Sequence, residues 1–264
     1  MRISNNHLLN CLVLFLALSF SAELLAQTIY TQNRKEAFQY MQKAELAKRG
    51  GNFNNAYQEY TNAIAVDPNY AEAYMKRALM LQQMGRYQES LADYNKAIDI
   101  NPYSEVYYDQ RARLSLLQSD YKKAIGDLDK ALELSPYDDY LLDSRAIAEL
   151  QSGDYDRAID DFSFIIDLNP VDTLAYLKRA ITYLRAGDRI SAEQDVANAK
   201  ELAPRSALVY DVQGLIHLEY DELDQAIRAF SKSIDLEPTF AVAYYNRSVA
   251  KKKSGQVDES VSDL

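Results

Sequence analysis

Residues 139–172 read DYLLDSRAIAELQSGDYDRAIDDFSFIIDLNPVD, and the order of signals in that stretch decides the fold. A run free of glycine and proline ends at Gly153. A second run then places Ala158, Phe162 and Ile165 at spacings of four and three, and Pro170 closes it. Those spacings lie on one face of a helix, the glycine marks a break, and the proline forbids continuation. The stretch therefore predicts helix, turn, helix, stop, with each helix about 14 residues long.

The pattern recurs along the chain. All six prolines, Pro68, Pro102, Pro136, Pro170, Pro204 and Pro238, are separated by 34 residues. Repeats then span 37–70, 71–104, 105–138, 139–172, 173–206 and 207–240, with a partial seventh over 241–264. The twentieth place holds Ala56, Ser90, Ala124, Ala158, Ala192, Ala226 and Ser260, while the twenty-fourth holds Tyr60, Tyr94, Leu128, Phe162, Val196, Phe230 and Leu264. Small residues let two helices approach, and a bulky one on the same face fills the space between them. The fifteenth place is glycine except at Ser119 and Asp221. A period of this length marks a solenoid, in which each repeat buries its apolar face only by stacking on the next.

On these residues the chain resembles the tetratricopeptide repeat family, from Ala37 to Leu264. The stretches Ala73-Tyr74-Met75-Lys76-Arg77-Ala78 and Gly153-Asp154-Tyr155-Asp156-Arg157-Ala158-Ile159 look like its motif. The resemblance implies an all-α, right-handed superhelical solenoid of antiparallel helix pairs, whose concave face, lined by the first helices, binds peptides or protein elements.

Comparing the repeats with each other exposes a paired charge. The seventh place holds Lys43, Arg77, Arg111, Arg145, Arg179, Gln213 and Arg247. The twenty-third holds Glu59, Asp93, Asp127, Asp161, Asp195, Ala229 and Asp263. The sixth repeat loses cation and anion together. A guanidinium on one helix facing a carboxylate on the next can form two parallel charged hydrogen bonds. The expectation is a structural clamp within each repeat, rather than an arginine row that reads anionic ligands.

By the same resemblance, the second, fifth, ninth, twelfth and thirteenth places face the concave surface, the twelfth with Leu116, Leu150, Leu184 and Leu218. The second place carries Phe38, Val106, Tyr140, Leu174, Leu208 and Val242, the ninth Leu79, Arg113, Ile147, Ile181, Leu215 and Val249, and the fifth supplies Asp109, Asp143 and Asp211. Such a groove is apolar with acidic spots, suited to a hydrophobic segment carrying Lys or Arg. Packing of some of these residues against the adjoining repeat is the competing reading. Family members that grip a chaperone's C-terminal carboxylate use lysine and asparagine at the fifth and ninth places. Here the ninth has no asparagine and the fifth no lysine, so that carboxylate clamp is not expected.

Composition narrows the function further. Twenty-nine basic and thirty-nine acidic residues give a net charge of −10, the wrong sign for a phosphate backbone, so no nucleic-acid partner is expected. The only histidines are His7 and His217, the only cysteine is Cys11, and no glycine-rich phosphate loop occurs. Nucleophilic, metal and nucleotide chemistry lack their parts, so neither catalysis nor a cofactor is expected. His217 is expected in the core.

The first 26 residues have a basic start at Arg2, an apolar run from Leu8 to Phe20 and small residues ending at Ala26, the layout of a signal peptide cleaved after Ala26. A lead-in over 27–36 precedes the first repeat. The expectation is an exported scaffold of a Gram-negative periplasm or envelope, free of direct membrane contact once the signal is cleaved. The alternative is a membrane-tethered structural subunit of a secretion, export or outer-membrane assembly complex. The seventh repeat stops at its twenty-fourth place, and its apolar edge is expected to be covered by a partner or a second copy, or to continue in a longer protein.

Overall fold

A computed structural model describes residues 5–263 of the chain, with side chains for 27–256 and 258–263. The expected signal sequence, 1–26, lies outside the residues whose side chains are described. Two compact units divide the chain, one ending at Leu114 and the other starting at Ser115. Among the described residues there are fourteen helices and no strand.

The first helices of the repeats are the end of α1 (Asn5–Arg49), then α3 (Ala71–Gln83), α5 (Glu105–Leu117), α7 (Asp139–Ser152), α9 (Thr173–Ala186), α11 (Ala207–Glu219) and α13 (Ala241–Lys253). The second helices are α2 (Phe53–Val66), α4 (Tyr87–Ile100), α6 (Tyr121–Leu134), α8 (Tyr155–Leu168), α10 (Arg189–Leu202), α12 (Leu223–Leu236) and the short α14 (Val257–Val261). The lead-in at 27–36 is continuous with the first helix of repeat one. It docks through Arg34, whose Nε lies 2.7 Å from the buried Asp67 carboxylate and whose guanidinium stacks 4.2 Å from the centre of the Tyr70 ring.

Local chemistry ends each helix where the sequence says it should. The residue before each proline is the C-cap of a second helix, held extended, as at Asn101 (φ −137°, ψ 91°) and Glu237 (φ −140°, ψ 89°). The proline ring disfavours helical backbone at that position. Gly153 and Gly187 close first helices in the left-handed region, and so do the two exceptions to the glycine pattern, Ser119 (φ 57°) and Asp221 (φ 56°). The turn geometry is therefore kept even where the residue that favours it is missing.

The core repeats with the sequence. In the N-terminal unit Tyr60 and Tyr94 are fully buried among small residues such as Ala56, Ala63 and Ala97. In the C-terminal unit Phe162 and Phe230 take the same place. Repeat six has Gly214 where five sibling repeats have alanine, because an added Cβ there would sit 2.5 Å from the Phe230 ring.

The expected clamps form, with Arg Nε and Nη2 both donating to one carboxylate. The distances are 2.7 and 2.7 Å for Arg77 to Asp93, 2.8 and 2.7 Å for Arg145 to Asp161, 2.8 and 2.8 Å for Arg179 to Asp195, and 2.9 and 2.6 Å for Arg247 to Asp263. The pair Arg111 and Asp127 falls on opposite sides of the division between the two units. In repeat one, Lys43 instead lies 5.0 Å from the centre of the Tyr40 ring, and Glu59 accepts a bond from Asn62.

The guanidinium of the clamp also reaches beyond its own repeat. The remaining Nη1 donates backwards to the twenty-fifth place of the preceding repeat: Arg77 to Thr61 (3.3 Å), Arg111 to Asn95 (2.7 Å), Arg145 to Asp129 (2.7 Å), Arg179 to Ser163 (2.8 Å) and Arg247 to Ser231 (3.0 Å). The guanidinium has more donors than one carboxylate accepts, and the surplus is satisfied across the junction between repeats. The twenty-fifth place of repeat five, which precedes the clampless repeat, is Ala197.

Glu149 lies beside this network, 1% exposed, with Arg157 Nη2 2.9 Å from its Oε1. Burial, followed by the nearby Asp161 charge, raises its pKa to about 7 against the opposing pull of Arg157 and Arg145.

Three outcomes follow from this packing. Arg179→Leu should lower unfolding free energy by about 2 to 4 kcal/mol in urea titration, and adding Asp195→Leu should recover most of it, since the first change strands a buried carboxylate. Gly214→Ala should destabilise by about 1 to 2 kcal/mol despite its better helix propensity, and Phe230→Leu should relieve the clash. Glu149 binds its proton more tightly folded than unfolded, so its contribution is fully present below the usual glutamate range and is lost as pH rises through about 7. Glu149→Gln should therefore match the parent near pH 4.5 and exceed it by about 1 to 3 kcal/mol above pH 8, read by thermal unfolding across that range.

Candidate protein-binding face

Side chains at the second and ninth places of the first helices are set by helix geometry. Residues seven apart share a face, and the neighbouring helices cover the opposite side. In the N-terminal unit Phe38 is 51% exposed and Val106 42% exposed, Arg113 is exposed, and Leu79 is half-buried against the core around Tyr94 and Leu114. Phe38 lines a cavity of about 620 Å³ between α1 and α3, together with Met41, Leu46 and the charged Glu45, Arg49 and Lys76.

In the C-terminal unit Tyr140, Ile147, Leu174 and Val242 are exposed. Tyr140 and Leu174 line a depression of about 220 Å³ with Asp143 and Lys178. Ile181 and Leu208 are half-buried against the core around Leu177 and Ile216, Leu215 packs near Phe230, and Val249 is half-buried. The exposed apolar surface is therefore carried by the second place, and the ninth place is divided between surface and core.

The acidic spots are not where the groove reading placed them. Asp109 is 7% exposed and Asp211 3% exposed. Asp211 accepts bonds from Asn246 Nδ2 at 3.0 and 3.3 Å, and burial raises its pKa while that hydrogen bond opposes the rise. Asp143 receives Lys178 Nζ at 2.5 Å. Asp143 and Asp211 meet the sixth place of the following repeat and so join neighbouring first helices, whereas Asp109 accepts from Gln110 of its own helix, and the buried Asp109 and Asp211 are withdrawn from a ligand. Charge on the accessible face of the C-terminal unit is correspondingly balanced by the Asp143–Lys178 pair.

His217 is half-buried rather than central to the core. Its Nδ1 lies 2.6 Å from Glu222 Oε2, and Arg189 donates from Nη2 to Glu222 Oε1 at 2.8 Å. Both contacts lower the Glu222 pKa. Among the described residues no cluster of His, Cys, Asp or Glu is arranged to hold a metal ion, and no helix is long and apolar enough to cross a membrane. The residue that sequence reading missed is the acceptor at the twenty-fifth place. Its signal was present, since that place is Thr61, Asn95, Asp129, Ser163 and Ser231, with Ala197 the exception.

Three family models match the chain: "Tetratricopeptide repeat" over residues 71–104, "TPR repeat" over 48–85 and a second "Tetratricopeptide repeat" model over 144–207. No curated protein matches the sequence. Similar solved structures include Pseudomonas aeruginosa PilF, with 18% identity and a TM-score of 0.60 over 83% of this chain and 99% of that one. MamA matches with 20% identity and a TM-score of 0.59, over 64% and 92% of the two chains. YrrB, described as a TPR protein with an unusual peptide-binding site, matches with 21% identity and a TM-score of 0.55, over 70% and 95%. At these identities the likenesses report the fold. Helix pairs of 34 residues closed by glycine-type turns and prolines, the matching family models and these structural likenesses agree that residues 48–104 and 144–207 are tetratricopeptide repeats within an array of that fold.

Proposed function

We propose that this chain is a non-enzymatic scaffold of the cell envelope that holds a peptide or helix of another protein on its first-helix face. The observation that carries the reading is the recurrence of an exposed apolar residue at the second place, as at Phe38, Val106, Tyr140, Leu174 and Val242. Isolated exposed apolar residues are ordinary, but Tyr140, Leu174 and Val242 recur at one place within the C-terminal unit, as Phe38 and Val106 do within the N-terminal unit, so each unit presents apolar side chains that a partner can cover. The peptide-binding site named for YrrB supports a protein ligand on this fold. With Asp109 and Asp211 buried, affinity rests on apolar contact more than on cationic residues of the ligand.

The export signal read at the N-terminus supports a periplasmic location in a Gram-negative cell. A second reading, a structural subunit still tethered by its N-terminus, draws support from α1, which continues as one helix from Asn5 into repeat one. An N-terminus beginning at Gln27 on protein purified from the envelope favours the free scaffold, and one beginning at Met1 favours the tether.

The face itself is tested by affinity capture from envelope extract with the parent and with Tyr140→Glu/Leu174→Glu, both at exposed positions that leave the core intact. The double variant should lose captured partner by about tenfold or more. Equal recovery of the same proteins by both would sink the proposal.

A further inference from the structure

The junction between α10 and α11 differs from its siblings at five places. Across the other full repeats the twenty-first place is apolar or tyrosine and here is Glu193. The twenty-fourth is tyrosine, phenylalanine or leucine and here is Val196. The twenty-fifth is a hydrogen-bond acceptor and here is Ala197. The twenty-eighth is isoleucine or leucine and here is Lys200. The arginine that the next helix would insert is Gln213. Each change shortens a side chain or makes it polar, and the carboxylate that would receive the arginine is replaced by Ala229.

The packing records the loss. A cavity of about 260 Å³ opens between α10 and α11, lined by these five residues with Ile216 and His217. Glu193, Ala197 and Lys200 are exposed, so the cleft opens to solvent and its walls lack the side chain that fills the equivalent place in the sibling repeats. Ala197 is exposed at the floor with the buried Val196 and Ile216 beneath it, so the floor is apolar, and the volume suits one large side chain better than a whole cofactor.

The rim supplies a charge preference. Glu193 accepts from Arg189 Nε at 2.7 Å, and Glu222 is shared between Arg189 and His217. Lys200 lies 5.0 Å from the centre of the Tyr210 ring and, among the described residues, pairs with no carboxylate. The rim therefore balances Glu193 and Glu222 against Arg189 and Lys200, but both carboxylates are taken up by Arg189 and His217, which leaves the Lys200 ammonium without an ion pair beside the cleft. Filling the hole and pairing Lys200 requires an apolar side chain with an acidic neighbour.

We infer that the α10–α11 cleft is a second binding site, taking a leucine- or phenylalanine-sized side chain of a partner polypeptide whose adjacent residue is Asp or Glu. None of the exposed apolar residues of the first-helix face lines the cleft, so the inference stands apart from the function proposed for that face. The partner's side chain occupies the place that a guanidinium holds in the other repeats, and its acid meets Lys200.

The test uses the full chain with methyl-labelled Val, Ala and Ile, titrated with the peptide acetyl-Phe-Asp-Asp-amide and followed by carbon–proton correlation spectra. Saturable shifts of Val196, Ala197 and Ile216 are expected. Restoring the sibling pattern with Ala197→Ser/Gln213→Arg/Ala229→Asp should weaken the peptide by about tenfold or more while thermal stability holds or rises. Lys200→Ile in the parent, or acetyl-Phe-Asn-Asn-amide as the probe, should weaken binding by about threefold. Tyr140→Glu/Leu174→Glu should leave these shifts unchanged, which separates failure of the cleft from failure of the first-helix face. Absent shifts at the three methyl positions, or equal binding by the filled variant, overturn the inference. If the filled variant does not fold, undiminished binding of the peptide to Lys200→Ile overturns it alone.

Discussion

The position of one guanidinium group constrains much of this fold. At the seventh place of a repeat it donates twice to a carboxylate sixteen residues ahead and once to an acceptor sixteen residues behind. It thereby links three helices: the second helix before it, its own, and the one that follows. Bringing a buried Asp and a largely buried Arg out of water costs nearly as much as their attraction returns, so the net stabilisation from the arrangement is modest. Its effect is geometric, because a planar fork bonded on two sides admits one relative placement of those helices, whereas alanines and isoleucines alone admit several. Tyrosines add to the restraint, with the rings of Tyr74, Tyr176 and Tyr244 centred 5.6–5.7 Å from the guanidinium three residues on.

Much of the fold was legible because it is written in local chemistry. Prolines, turn glycines and small residues act within one repeat, and internal comparison averages away their exceptions, as at Ser119 and Asp221. The carboxylate of the clamp was legible because it varies together with its arginine inside a repeat. The second acceptor was missed because it belongs to the neighbouring repeat, and comparing repeats one beneath another aligns equivalent residues rather than interacting ones. The buried aspartates failed as groove residues for a related reason. Asp211 meets Asn246, which lies 35 positions on, so its burial depends on how repeats stack and not on the helix that carries it.

The binding face illustrates how exposure separates places that share a stripe. Second-place residues such as Val106, Tyr140, Leu174 and Val242 sit near the start of a first helix, beside the turn that follows a proline, and remain open, whereas Leu208 at the same place is half-buried. Ninth-place residues lie a helical turn or two deeper, where Ile181 and Leu215 already touch the core. The sixth repeat combines the departures that most affect packing: Gly214 lets the Phe230 ring close in, while Gln213, Ala229 and, from the repeat before, Ala197 leave the neighbouring junction loose.

That division of the loose junction between two repeats bears on how the array can change over generations. A repeat carrying arginine at its seventh place and an acceptor at its twenty-fifth can be copied, deleted or moved as a cassette, since each copy meets the same chemistry on either side. Repeats five and six cannot be parted so freely. Repeat six moved behind another sibling would face a polar acceptor with no guanidinium to satisfy it, and repeat five placed ahead of an arginine would offer it only Ala197. The two form a single heritable module of 68 residues, from Thr173 to Pro238 and the two residues after it, beside repeats two to four, each of which carries both the arginine and the acceptor.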